Sequence, residues 1–452
     1  MRTATAARLA PQPELPTKPF LRLVPDTDTT EVMERPWYAV ADEPAVELPP
    51  RLSWYRRMWK GATLMHYHRL AGLALVINVV LAVAASWTVA ELGNLVLANF
   101  AIAILIRQHY VINALFWLAT RAPLHWPLAI RATLAKVYHF GGIHVGCAIA
   151  ATGWYIAFAI AILRSEPSPA LFATVCLELA ILVAITLVSM PMIRSRHHDA
   201  FEIIKRFGGW GSLALIWVQS ALLGDIAWHL LGVITLSVAL PWLRLRKVPV
   251  ELVVPSSHVA LAHFDYGVTP FAGSSTAISR SPLREWHSFA NVPSPGRTGF
   301  RLTISRAGDW TGRLIDERPS HVWVKGIPTA GVANIETLFS RVVYIATGSG
   351  IGPCLPHLLA RKVPARLVWA TRDPRKTYGD GLVDEILDKH PDALIWDTHA
   401  RGKPDMVALA YQALVETGAE AVICISNKKL TWQVVSGLES RGIPAYGAIW
   451  DS

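Results

Sequence analysis

Residues 341–360 read RVVYIATGSGIGPCLPHLLA, and this stretch decides how the C-terminal third of the chain is built. A short run of β-branched and apolar residues, Val342 to Ala346, has the length of a buried strand. It runs into a turn of small residues, Gly348-Ser349-Gly350-Ile351-Gly352-Pro353, and then into an apolar segment of helical length. Glycines at such a turn let a ligand approach the backbone. The following helix start offers unpaired N–H groups and the positive end of its dipole to a pyrophosphate. The last position is proline, so the spacing departs from the GxGxxG of Rossmann dehydrogenases.

Downstream, ARLVWAT, DALIWDT and AEAVICIS repeat the strand pattern between helical stretches, which predicts a parallel α/β sheet over 338–452. Upstream, ELVV (251–254), FRLTI (300–304) and HVWV (321–324) are short β-rich runs, and we expect a small β-barrel domain over 248–337.

Before that the composition changes. The chain of 452 residues is 52% hydrophobic and only 17% charged, with a mean hydropathy of +0.33. Soluble domains carry roughly 25% charge. The apolar excess collects between residues 61 and 247, where runs at 70–90, 94–119, 137–163, 169–193, 207–223 and 227–243 approach the ~20 residues needed to cross a bilayer. The expectation is a six-helix transmembrane bundle. Arg56, Arg57, Lys60, Arg121, Lys136, Arg194, Lys205, Arg244 and Lys247 fall on one set of loops. By the positive-inside rule both termini are then cytoplasmic and the protein is integral to the cytoplasmic membrane. The net charge of +10 is absorbed by those loops, so no nucleic-acid partner is required. Residues 1–60 read as a disordered tail. It ends in an interfacial segment, RLSWYRRMWK (51–60), suited to anionic headgroups. Four cysteines without CxxC spacing argue against a zinc site or a disulfide framework.

Five motifs over about 260–450 occur in one family's order. They are WHSFA (286–290), GDWTGRL (308–314), the GxGxxP turn, GKPDM (402–406) and Cys424. Together they resemble the ferric reductase and NADPH oxidase branch of the ferredoxin–NADP reductase superfamily, most closely the fungal TmpA-type integral membrane proteins. The resemblance implies FAD and NAD(P)H as cofactors. His287 and Ser288 would contact the flavin chain, and Gly308, Trp310 and Thr311 its pyrophosphate. Gly348, Gly350 and Pro353 would seat the nicotinamide dinucleotide, with Cys424 beside it and Trp450 over the flavin. Arg372, Arg375 and Lys376 follow the next strand and suit a 2′-phosphate.

Two departures stand out: the family's HPFT is His-Ser-Phe-Ala here, and its CGP is Cys424-Ile425-Ser426. The paired histidines for two stacked haems are missing; His109 and His144 are the candidate axial pair for a single haem, with His68 and His139 as another. By helix rise, His109 is placed about 16 Å and His144 about 10 Å deep, and Arg107 and Glu178 about 20 Å deep, where an ion pair is expected. The sequence thus points to a membrane oxidoreductase passing electrons from NAD(P)H through FAD to a membrane-associated or transmembrane acceptor. The alternative is a non-catalytic membrane sensor that keeps the reductase fold.

Overall fold

The computed structural model describes residues 46–448, without 62–63, 225–226, 294–295 and 297 and without the side chains of 195, 198 and 199. Trp450 and most of the expected N-terminal tail lie outside the described residues.

Among the described residues ten α-helices form the first part: α1 (Trp54–Lys60), α2 (His66–Ala84), α3 (Val89–Leu105), α4 (His109–Ala119), α5 (Leu128–Leu134), α6 (Gly141–Leu163), α7 (Pro169–Val188), α8 (Pro191–Arg196), α9 (His198–Leu223) and α10 (Trp228–Leu243). Local chemistry sets several starts. Thr88 and Glu91 form a capping box at α3, and Ser168 caps α7 with Pro169 in its first turn. α2 and α6 approach closely because Gly142 and Gly146 present no side chain. A Cβ at Gly146 would lie 2.5 Å from the Ala71 carbonyl, and one at Gly142 would overlap that of Tyr67. Asn78 Oδ1 accepts from Asn99 Nδ2 and from Trp154 Nε1, each at 2.8 Å, tying α2, α3 and α6 together.

Fewer helices than the six expected have the length and composition of a span: three among the described residues, or four if the bent pair α3–α4 counts as one. Among the described residues α2, the continuous run Leu128–Leu163 and α7 are long and apolar enough to cross a membrane. The expected span at 94–119 is broken: α3 and α4 meet at 67°. The polar triplet Arg107-Gln108-His109 is the cause. The Gln108 carboxamide caps α4 by accepting from Tyr110 N, and Asn113 on α4 bonds Pro328 O (2.9 Å) and Ala330 N (2.8 Å) in the following domain. Arg107 and His109 therefore sit at the bend between α3 and α4. The expected Arg107–Glu178 ion pair is absent among the described residues. Glu178 is fully buried and hydrogen-bonded by Ser212.

The second part has two antiparallel sheets. β1 (Leu245–Pro249), β2 (Glu251–Ser256), β3 (Val259–Phe264), β4 (Ser274–Ser279), β5 (His287–Ala290), β6 (Val292–Pro293), β7 (Phe300–Ser305), β8 (His321–Lys325) and β9 (Thr329–Ala330) are ordered β1-β8-β4-β5, with β9 on β4, and β2-β3-β7-β6. Helix α11 (Asp309–Glu317) joins β7 to β8. The expected single barrel is thus two sheets, joined where Val250 and Asn291 let a strand change sheets. One core serves both: Val248, Ile278, Val322 and Val324 meet Phe264, Phe300, Leu302 and Ile304.

The third part is a parallel sheet. Its elements are β10 (Val342–Thr347), α12 (Ile351–Ala360), β11 (Ala365–Thr371), α13 (Pro374–Tyr378), α14 (Asp380–Lys389), β12 (Leu394–Asp397), α15 (Thr398–Arg401), α16 (Met406–Thr417), β13 (Ala421–Ile425), α17 (Lys428–Glu439) and β14 (Ala445–Tyr446). The strand order is β12-β11-β10-β13-β14, all parallel, as the alternating pattern predicts. The order reverses between β10 and β13, and ligands bind beyond the strand ends at such a point. Arg131 on α5, 5% exposed, docks the helical part onto this sheet. Its guanidinium holds both oxygens of Glu420 (2.8 and 3.0 Å) and the Leu338 carbonyl.

Candidate functional site

The glycine-rich turn lies at the reversal point. Gly348–Gly350 form a single 3₁₀ turn at the end of β10, and α12 begins at Ile351. A Cβ at Gly350 would overlap the Ile425 carbonyl oxygen, so glycine lets the turn lie directly on the end of β13. Thr347 and Ser426 hydroxyls bond across the same gap. Pro353 sits in the first turn of α12, where its missing N–H costs no hydrogen bond. A Cβ at Gly352 would come within 3.4 Å of the Thr303 Cβ on β7, so the turn lies against the antiparallel domain.

On that side His287 and Trp310 stack, with ring centroids 4.0 Å apart and planes at 26°, and Phe289 lies nearly parallel to Trp310 at 6.3 Å. These half-buried rings form an aromatic wall; Ser288 is exposed beside it. Trp310 is fixed by Glu285, whose Oε1 accepts from its Nε1 (3.1 Å) and from Ser279 Oγ, Arg280 N and Ser281 N. Gly308 precedes α11. The Thr311 hydroxyl is spent on the backbone: it accepts from Ala307 N and Gly308 N and donates to Gly308 O. It is therefore a structural cap, and any anion contact falls to the first-turn N–H groups of α11. They face an open depression of about 560 Å³ lined by Arg306, Gly308, Asp309, Gly312, Arg313 and Asp316. Arg306 is already paired with Asp316.

The basic loop after β11 separates into used and open cations. Arg375 pairs with Asp380 (3.0 Å) and Asp384 (2.8 Å). Arg372, with 74% of its side chain exposed, has only a loose 3.6 Å contact with Asp373, and Lys376 is exposed. His399 beside Asp373 holds that carboxyl below the usual range.

Cys424 is not where the motif places it. Its side chain is fully buried among Val343, Ile345, Val422 and Val434, on the face covered by α16 and α17, and burial pushes the thiol up to about 12. The period-2 alternation of a strand sends it inward while the Ile425 backbone lines the turn. The two haem candidates come to the α3–α4 bend. His144 Nδ1 lies 2.8 Å from the Ala103 carbonyl of α3, and His109 opens α4. His139 neighbours His66 at 6.2 Å between centroids. Among the described residues no group of three or more His, Cys, Asp or Glu side chains is placed to hold a metal ion.

Sequence reading missed Glu285, the buried trio Glu336, His357 and Tyr344, and the docking residue Arg131. Tyr344 donates to Glu336 at 2.8 Å and His357 Nδ1 lies 2.6 Å from the same carboxylate, fastening α12 to the Val332–Leu338 segment.

Residues 332–452 match the family model described as the C-terminal domain of adenylate-forming reductase 03009. Over 411 residues the chain is 43% identical to adenylate-forming reductase 06235 and to adenylate-forming reductase 03009, both of Coprinopsis cinerea. Each match covers 85% of this chain, which spans 40% of the relative's length. Among solved structures, a flavohemoglobin from Malassezia yamatoensis with bound FAD and heme has a TM-score of 0.40 at 14% identity, over 80% of this chain and 100% of that one. A ferredoxin NADP+ reductase from Neisseria gonorrhoeae with bound FAD and NADP has a TM-score of 0.36 at 12% identity, over 45% and 98%. At those scores the fold assignment rests on this chain's own strand order.

Proposed function

We propose that this chain is a membrane-anchored reductase module that takes reducing equivalents from NAD(P)H through FAD and delivers them to an acceptor at the membrane. The observation that carries the reading is the position of the Gly348–Gly352 turn. It lies at the reversal of a parallel sheet and against the antiparallel domain that carries the aromatic wall. The residues present fit a dinucleotide at the turn: a close-packed backbone, a helix start and two open cations, Arg372 and Lys376, for a 2′-phosphate. They also fit a flat ring system at His287, Phe289 and Trp310, with the first turn of α11 and Arg313 for its phosphates. Asp309 and Asp316 work against that phosphate contact and set its register. When bound, such a flavin accepts hydride from the nicotinamide and releases electrons to the next acceptor. The reductase part of the relatives' name agrees with this reading.

Membrane anchoring draws its support from surface chemistry. On α2, Leu73, Val76, Ile77, Val79, Val80 and Val83 are all more than half exposed, Val83 at 80%. A contiguous apolar face of that kind needs a covering solvent. The basic loops support an anchor in the cytoplasmic membrane, with the soluble domains on the cytoplasmic side.

A second reading, a nucleotide-binding sensor without turnover, is favoured by one observation: Cys424 is withdrawn into the core. The absorbance spectrum of purified full-length chain separates the two. Flavin bands near roughly 450 nm that bleach on adding NADPH support the reductase. A chain that binds NADPH without flavin supports the sensor. A colourless chain that binds neither overturns both.

A further inference from the structure

The glycine-rich turn has a strand before it and a helix after it, and one buried carboxylate holds both. Tyr344 lies on β10, the strand that enters the turn, and its hydroxyl donates to Glu336 Oε2 at 2.8 Å. His357 lies on α12, the helix that leaves the turn, and its Nδ1 is 2.6 Å from Glu336 Oε1. A carboxylate oxygen only accepts, so Nδ1 carries the proton. Each oxygen of Glu336 thus grips one arm of the β10–turn–α12 unit. Val343 and Ile345 face the core under α16 and α17, so strand alternation turns Tyr344 to the α12 side.

The clamp also reaches the antiparallel domain. The His357 ring rests on the backbone of Gly273, where a Cβ would fall 2.2 Å from its Nε2 and where φ is +77°. Gly273 leads into β4, and β4 pairs with β5, setting Thr276 opposite Phe289 and Ile278 opposite His287. Asn334, on the same segment as Glu336, donates Nδ2 to the Ala272 carbonyl at 3.1 Å. The Gly331 N–H donates to the Gly273 carbonyl at 3.0 Å. One carboxylate therefore connects both arms of the turn to the strand pair that carries the aromatic wall.

Stability alone does not account for the arrangement. Glu336, His357 and Tyr344 are 2%, 3% and 0% exposed. Apolar side chains of similar volume fill such a space as well or better, because taking a charge out of water is costly. What a bonded carboxylate adds is direction, since its hydrogen bonds hold only over a narrow range of distance and angle. At that depth Glu336 touches no ligand itself.

We propose that Glu336 is a positioning residue of the nucleotide site: by holding Tyr344 and His357 it fixes the Gly348–Gly352 turn against the antiparallel domain. The inference rests on the reading of that turn as a dinucleotide site. The pyrophosphate and nicotinamide end of the ligand depends on this placement, because hydride transfer needs its reacting atoms close and aligned. The 2′-phosphate end does not, since Arg372 and Lys376 follow β11 and not the turn.

The test uses the full-length chain. NADP+ and adenosine 2′-phosphate are titrated by calorimetry, and amide hydrogen exchange is followed over 347–352. Glu336→Met removes both acceptors and keeps the volume. It is expected to bind NADP+ about tenfold more weakly through lost preorganisation. Its affinity for adenosine 2′-phosphate stays at the wild-type value, and exchange at the turn is faster. Glu336→Gln keeps all three at wild-type values, because its amide oxygen accepts from Tyr344 and its NH2 donates to the other tautomer of His357. Tyr344→Phe frees one arm and shows the same split, which keeps the test decisive where the methionine variant does not fold. Equal weakening of both ligands, or of neither, overturns the positioning role. A wild-type chain that binds no NADP+ fails the dinucleotide reading instead. Exchange at the turn then decides the clamp, and unchanged exchange in Glu336→Met overturns it.

Discussion

Helix α2 and strand β10 are both apolar, yet they treat their side chains in opposite ways. Of the 19 residues of α2 only Ala74 is buried, whereas Val342 to Ala346 of β10 are buried without exception. The hydrophobic effect closes the sheet in water, because apolar surface left outside would cost about 25 cal/mol per Å². The face of α2 persists open because its own solvent is expected to be apolar. On the proposed membrane reading the two parts of the chain fold under different driving forces; between them lies a polar joint: Arg131–Glu420, Lys136–Glu439 and the Asn113 bonds.

The comparison breaks most sharply at the turn of the water-folded part. Gly350→Val places a side chain on the Ile425 carbonyl and forces the turn off β13. NADPH-driven dye reduction is expected to fall at least ~100-fold, the scale of an ångström's misplacement, with retained flavin absorbance. A variant with normal turnover places the nucleotide elsewhere.

The joint comes next. Glu420→Gln strands a buried guanidinium and is expected to cost about 3–5 kcal/mol, read as denaturant stability and as faster hydrogen exchange in 135–140. The Arg131 guanidinium holds the Glu420 carboxyl down to about 2, below its ordinary 4.5. A lowered carboxyl stabilises the fold above its unfolded value and loses that effect as pH falls through the folded one. Wild type and variant therefore converge in strong acid.

Val80→Arg probes the other solvent. Val80 is 56% exposed, so in water the change is close to neutral, whereas near a bilayer centre an arginine costs about 2.5–3.5 kcal/mol. Impaired membrane insertion in a microsome assay is the expected result, and unimpaired insertion removes α2 from the lipid. Arg372→Gln is smaller: KM for NADPH rises about tenfold, equivalent to about 1.4 kcal/mol, with KM for NADH unchanged.

Lys325→Met is read through the pH dependence of stability. Burial, then Arg206 and Lys205, opposed by Glu202, bring the Lys325 amine down to about 8 from 10.5, where it lies 4.5 Å from the Trp286 ring and 5.7 Å from that of Trp242. Between those values the unfolded chain binds more protons, so wild-type stability rises with pH from about 8 to 10.5. Melting curves of the variant are expected to lose that rise.

Much of this was legible in one dimension. The parallel sheet followed from strands alternating with helical segments, and the glycine turn marked its own place, because period and turn chemistry are local. The apolar runs at 137–163 and 169–193 likewise stand as helices. The run at 94–119 misled, since hydropathy averages over Arg107-Gln108-His109, and the bend depends on Asn113 finding Pro328 and Ala330 more than two hundred residues away. The site divides the same way. His287 and Trp310 were each readable in a motif, but their stacking was not, nor was Glu285 as the clamp on Trp310.

By itself, then, the sequence determined which segments become strand or helix, where a glycine-rich turn stands and which loops carry cations. Those properties depend on neighbours along the chain. Tertiary structure alone decided that Arg375 is spent on Asp380 and Asp384 while Arg372 stays open, and that Arg107 and Glu178 never meet. Each of these depends on which distant groups share a small volume. Burial and pairing are properties of that volume, and no local pattern encodes them.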